Sequence, residues 1–123
     1  MNTGIVMIIL MLLPGGDLSA SFVNTDTLAE CEQRLGRIRP VLEGSKMEMK
    51  AAGCFRSAAA FDDFDHDPPA DAPRNAFLID LDGDAASVRK LGSADECRAA
   101  LEASGRQTSY CATSTQDMAS GDD

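Results

Sequence analysis

Two groups of residues in this chain could do chemistry: a knot of acids around its single histidine, and four cysteines. Asp62, Asp63, Asp65, His66 and Asp67 stand almost side by side. Carboxylates on a loop can hold calcium weakly, and an imidazole beside them adds a nitrogen ligand for a transition metal. The competing reading is a solvated acidic loop that keeps the chain soluble. Cys31, Cys54, Cys97 and Cys111 allow three disulfide pairings, an all-thiolate metal site or a redox pair. No pair has the short Cys-x-x-Cys spacing that favours chelation or thiol exchange. Structural disulfides are therefore expected, and such bonds belong to an oxidising compartment.

One further stretch invites a chemical reading. Phe77-Leu78-Ile79-Asp80-Leu81-Asp82-Gly83 resembles the first motif of haloacid-dehalogenase-type phosphotransferases, an apolar strand ending in Asp-x-Asp-Gly-Thr. Asp84 stands where that motif carries Thr, and the chain after it offers no home for the family's later lysine and acids. The same Asp80, Asp82 and Asp84 are similar to the start of an EF-hand loop. Ala85 and Leu91 then occupy the positions of its glycine and bidentate glutamate. A β-hairpin turning at Asp82-Gly83 accounts for these residues. Nucleophilic catalysis has little material: one histidine, and no Gly-x-Ser-x-Gly turn.

These residues must be positioned by elements whose signals repeat. Thr27-Leu28-Ala29-Glu30-Cys31-Glu32-Gln33-Arg34-Leu35 returns as Ser93-Ala94-Asp95-Glu96-Cys97-Arg98-Ala99-Ala100-Leu101. In both, a hydroxyl is followed three residues later by Glu, the capping box that opens a helix. Cys and Leu four apart then share one helical face. Each copy precedes another cysteine, and this parallel selects the pairs Cys31–Cys54 and Cys97–Cys111. Pro40 is expected to end or kink the first helix near Ile38, and Gly105 to cap the second. Short strands are expected at 21–23, from Met47 through Phe55, in a hairpin over 75–91, and at 107–113. Residues 62–74, rich in Pro and Asp, read as a loop. The expected fold is a small disulfide-stapled α+β domain. In it, two capped helices pack on one face of a small antiparallel or mixed sheet, with a strand–helix–strand pseudo-repeat.

The N-terminal segment reads differently. Residues 5–13 are uniformly apolar, too short for a membrane-spanning helix of about 20 residues, and Ser19-Ala20-Ser21 supplies small residues for cleavage. A cleaved signal peptide over residues 1–21 is the first reading, although no Lys or Arg precedes the run. A membrane anchor through residues 4–13 is the second, and a buried strand or helix the third. The single domain then covers 22–113, and residues 114–123 form a polar disordered tail. A net charge of −9 with no basic cluster excludes a nucleic-acid partner. The function expected is that of an exported, periplasmic or secreted, binding or structural module. It is non-catalytic, needs no cofactor and acts on a protein partner that the chain does not name. Weak metal binding at Asp62, Asp63, Asp65, His66 and Asp67 is the alternative.

Overall fold

The structure, a computed structural model, describes residues 4–13, 16–45, 48–61, 74–105 and 108–118. Its elements follow as β1 (Gly4–Leu12), β2 (Leu18–Thr25), α1 (Leu28–Glu43), β3 (Glu48–Ser57), β4 (Asn75–Asp82), β5 (Ala85–Leu91), α2 (Ala94–Ser104) and β6 (Ser109–Ser114). The strands pair in the order β1-β2-β6-β4-β5-β3 and close back on β1 as a barrel. This corrects the expected α+β architecture: the helices do not cover one face of an open sheet, but lie outside a barrel that has no free edge.

The apolar run read as a leader is β1, and the cleavage region falls in β2. β1 pairs along its whole length with β2 on one side and β3 on the other. Val6, Ile8 and Leu10 point into the barrel, while Ile5, Met7, Ile9 and Met11 lie under α1 with Cys31 and Leu35. A strand buried on both faces has no polar face to alternate with, hence the unbroken apolar run. Residues 4–12 are strand, not an anchor helix, and no helix among the described residues is long and apolar enough to cross a membrane.

Both capping boxes form as expected. Thr27 Oγ1 accepts from Glu30 N and Glu30 Oε1 accepts from Asp26 N; Ser93 and Glu96 repeat this with Gly92 N. α1, however, runs past Pro40 to Glu43. Pro40 and Gly36 both face solvent, so water can satisfy the Gly36 carbonyl that proline leaves without a donor. α2 ends at Gly105 in the left-handed conformation. The β4–β5 hairpin turns one residue later than expected, with Asp82 opposite Ala85 and Gly83 at φ 62°. Residues 114–118, assigned to the tail, are packed: Gln116 is 2% exposed and Phe61 bridges Met118.

The repeat in the sequence is a ββα β unit, one strand longer than the expected strand–helix–strand. β1, β2, α1 and β3 correspond to β4, β5, α2 and β6. Met7 opposes Cys54 as Leu78 opposes Cys111. The parallel seam pairing Ser19 with Thr113 answers the one pairing Ala85 with Arg56, so the ladders map onto themselves when the halves are exchanged. Ser57 Oγ accepts from Ala59 N as Ser114 Oγ accepts from Gln116 N. Phe61 and Met118 are then equivalent to each other, and they pair with each other, as residues on a two-fold axis must.

Side-chain volumes inside the barrel are not symmetric but complementary. Val6 and Phe22 in the first half correspond to Phe77 and Val88 in the second, and Gly53 and Phe55 to Tyr110 and Ala112. A Cβ at Gly53 would lie 2.8 Å from the Phe55 ring, so only glycine leaves that ring its place. Phe22 stacks on Phe61 at 3.9 Å between centroids, and Phe77 meets both edge-on at 5.4 and 5.9 Å. Phe22 and Phe61 of the first half and Phe77 of the second thus pack together inside the barrel, while Gly53 makes room for Phe55 of its own strand.

Each disulfide ties a helix's first turn to the strand that follows it, Cys31 to Cys54 and Cys97 to Cys111, with Cα separations of 6.0 and 5.9 Å. Replacing either pair by serine is expected to lower stability by roughly 3 kcal/mol, checked by urea denaturation. At the barrel end, the Lys90 ammonium and the Met118 N–H hold the Asp117 carboxyl below the usual carboxylate range. Its contribution to stability is therefore complete above that range and is lost as pH falls through the lowered value. The effect is small because both side chains are about half exposed, 42% and 51%. NMR titration should find Asp117 titrating low, and Lys90→Met should bring it back towards the ordinary range.

Candidate functional site

Asp62, Asp63, Asp65, His66 and Asp67 lie outside the described residues, and among the described residues no cluster of three or more metal-ligating side chains occurs. The acids of the 77–84 stretch are dispersed by the hairpin. Asp80 projects outward and accepts from the hydroxyls of Thr108 and Ser109, while Asp84 pairs with Arg56 at 2.5 Å. Asp82 is exposed at the turn. Alternation along β4 sends Asp80 to the face opposite Phe77 and Ile79, and the turn carries Asp84 across to β3. No shared ligand position results. The cysteines are joined in the two disulfides described above.

A concave feature among the described residues was not indicated by any motif. It is a groove of about 280 Å³ between α2, β6 and the start of β2, lined by Gly16, Leu18, Ala76, Ala94, Leu101, Tyr110, Ala112 and Thr113 beside the Cys97–Cys111 bridge. Its cause is visible in the internal symmetry. Under α1 the outer face of the central strand carries Ile5, Met7 and Ile9; the equivalent residues under α2 are Ala76, Leu78 and Asp80. α2 is also the shorter helix, 11 residues against 16. A small side chain where its counterpart carries Ile, beneath a shorter helix, leaves space unfilled. Comparing the outer-face residues of 4–12 with those of 75–82 would have found this signal.

The groove has an apolar floor and a charged mouth. Arg98 on α2 donates to Asp95 at 2.6 Å and reaches towards Asp17 in the β1–β2 turn at 3.8 Å. These groups are largely exposed, so their pairing adds little to stability and can be traded for contacts with another molecule. Beside the groove, Arg74 crosses the β2–β6 seam, donating to Ser19 Oγ, Thr113 Oγ1 and the Thr113 carbonyl. That clamp holds one wall in place. Among the described residues, no nucleophile with an adjacent base lines the groove. Comparison with protein-family models, with curated proteins and with solved structures found no match to this chain.

Proposed function

We propose that this protein is a non-catalytic binding module exported to an oxidising compartment, periplasmic or extracellular, where it engages another protein through the groove under α2. The carrying observation is Ala76 at the place where the other half has Ile5, which opens the groove. At about 280 Å³ the space lies below the roughly 300–1,000 Å³ of small-molecule pockets and suits one inserted apolar side chain. The chain's charge of −9, with Asp17 and Asp95 at the mouth, selects a partner segment whose apolar residue is flanked by Lys or Arg. The two disulfides fit the compartment.

The test is an NMR titration of the intact chain with short peptides carrying a central Leu between Lys or between Glu residues. The Lys-flanked peptide is expected to shift the amides of Ala94, Arg98, Leu101 and Thr113, and the Glu-flanked one to do so at least tenfold more weakly. Ala76→Ile should keep the fold, since Ile is the residue the other half packs there, and should abolish the shifts. Absence of any shift at on the order of 1 mM peptide, an affinity weaker than about −4 kcal/mol, would reject the groove.

A further inference from the structure

We infer that Cys97–Cys111 is a thiol-exchange site, open to small aliphatic thiols through the groove under α2, while Cys31–Cys54 is sealed. The two bridges are built alike. Each joins a fully buried cysteine near the start of a helix, Cys31 or Cys97, to a half-buried one on the following strand, Cys54 or Cys111. Their surroundings differ. Cys31–Cys54 belongs to an apolar cluster with Ile5, Met7 and Ile9 on β1 and Leu35, Ile38 and Leu42 on α1. Beside Cys97–Cys111 the corresponding strand residues are Ala76, Leu78 and Asp80, and α2 contributes one large aliphatic residue, Leu101, before it ends at Ser104. Both cysteines of this second bridge line the groove of about 280 Å³. Exchange requires an attacking sulfur to reach a disulfide sulfur, so access distinguishes two bonds that are otherwise equivalent.

The exchange runs in two steps. A thiolate attacks Cys111 Sγ, the half-buried end, and the bond to Cys97 Sγ breaks with its electron pair left on Cys97. Cys97 lies near the N-terminus of α2, whose positive end favours a thiolate as leaving group. It then takes up the proton that the thiol gave up, and the Phe77 carbonyl, 3.3 Å away, can accept from the new S–H. A second thiolate attacks the outer sulfur of the mixed disulfide and releases Cys111, which is protonated in turn. Two small thiols are oxidised to their disulfide and one protein disulfide is reduced. Charge selects among thiols. Asp17 and Asp95 set two carboxylates against the one guanidinium of Arg98 at the groove mouth, and the chain carries −9. The favoured reagent is therefore a cationic aminothiol, not an anionic thiol. The site needs no peptide partner, so its test is separate from that of the groove as a docking site.

The experiment exposes the native full-length protein to millimolar cysteamine, quenches with acid, alkylates with a maleimide and maps the cysteines by mass spectrometry. Cys97 and Cys111 are expected to open at least about tenfold faster than Cys31 and Cys54, with cysteamine trapped on Cys111. In urea the difference between the bridges should vanish. Mercaptoethanesulfonate should be slower than cysteamine by a larger factor on the native protein than on the urea-unfolded one, which corrects for the reagents' own reactivity. Ala76→Ile, with its fold checked by amide dispersion, should slow Cys97–Cys111 towards the rate of Cys31–Cys54. Equal rates for the two bridges in native wild-type protein, or faster opening of Cys31–Cys54, would overturn the site. A folded Ala76→Ile chain reacting as fast as wild type would overturn entry through the groove, and equal corrected rates for the two reagents would overturn the preference for an aminothiol.

Discussion

A chain lacking residues 1–21 will not fold. It loses all of β1 and the first part of β2. Val6, Met7, Ile8 and Leu10 are each 1% exposed or less, and Ile5, Ile9 and Met11 are nearly so. At about 1.5–3 kcal/mol for each fully buried aliphatic side chain, these sum to about 10–21 kcal/mol, as much as the whole 5–15 kcal/mol by which a domain is stable. Removal also exposes the unpaired ladder of β3 and opens the barrel. Circular dichroism and amide dispersion should show an unfolded or aggregated product. The N-terminal mass of natively produced protein checks the same point, and a folded species beginning at residue 22 would contradict the barrel.

Replacing Gln116 by Leu should destabilise the protein by about 2–6 kcal/mol. The Gln116 amide accepts from Phe22 N at 2.9 Å and donates to Phe22 O at 2.7 Å, so one side chain serves as the next rung where the β2–β6 seam ends. Leu fills similar volume but leaves both backbone groups buried without those partners, and each costs about 1–3 kcal/mol. Asn75 donates to the Gln116 carbonyl, so the segment is held from both sides. Urea denaturation of Gln116→Leu beside Gln116→Ala separates the two causes. Equal losses would assign the effect to the hydrogen bonds, and a larger loss for Ala would add the cavity. A Leu variant as stable as wild type would show that Gln116 does not serve as a rung.

What was legible in the chain was local. Thr27 with Glu30 and Ser93 with Glu96 specify helix starts through bonds spanning four residues, and these formed. The cysteine pairs followed from the repeat around those caps. Pro40 misled because its cost depends on whether the freed carbonyl is wet, which is a matter of which helical face turns outward. The second signal of the repeat, Cys54-Phe55-Arg56-Ser57 against Cys111-Ala112-Thr113-Ser114, was present but carries no local structural rule. The groove had no motif because it is an absence, an alanine where the other half places isoleucine.

The sequence by itself determined the two helix caps, the hairpin at 75–91 and the pairing of the cysteines. Tertiary structure alone decided that residues 4–12 are the most buried strand. An apolar run followed by Pro14-Gly15 and small residues has one composition whether it is a leader or a strand covered on both faces. Tertiary structure also decided that the strands close into a barrel. The parallel seams between β2 and β6 and between β3 and β5 join residues far apart in the chain, and no local sequence rule specifies the register of such pairs.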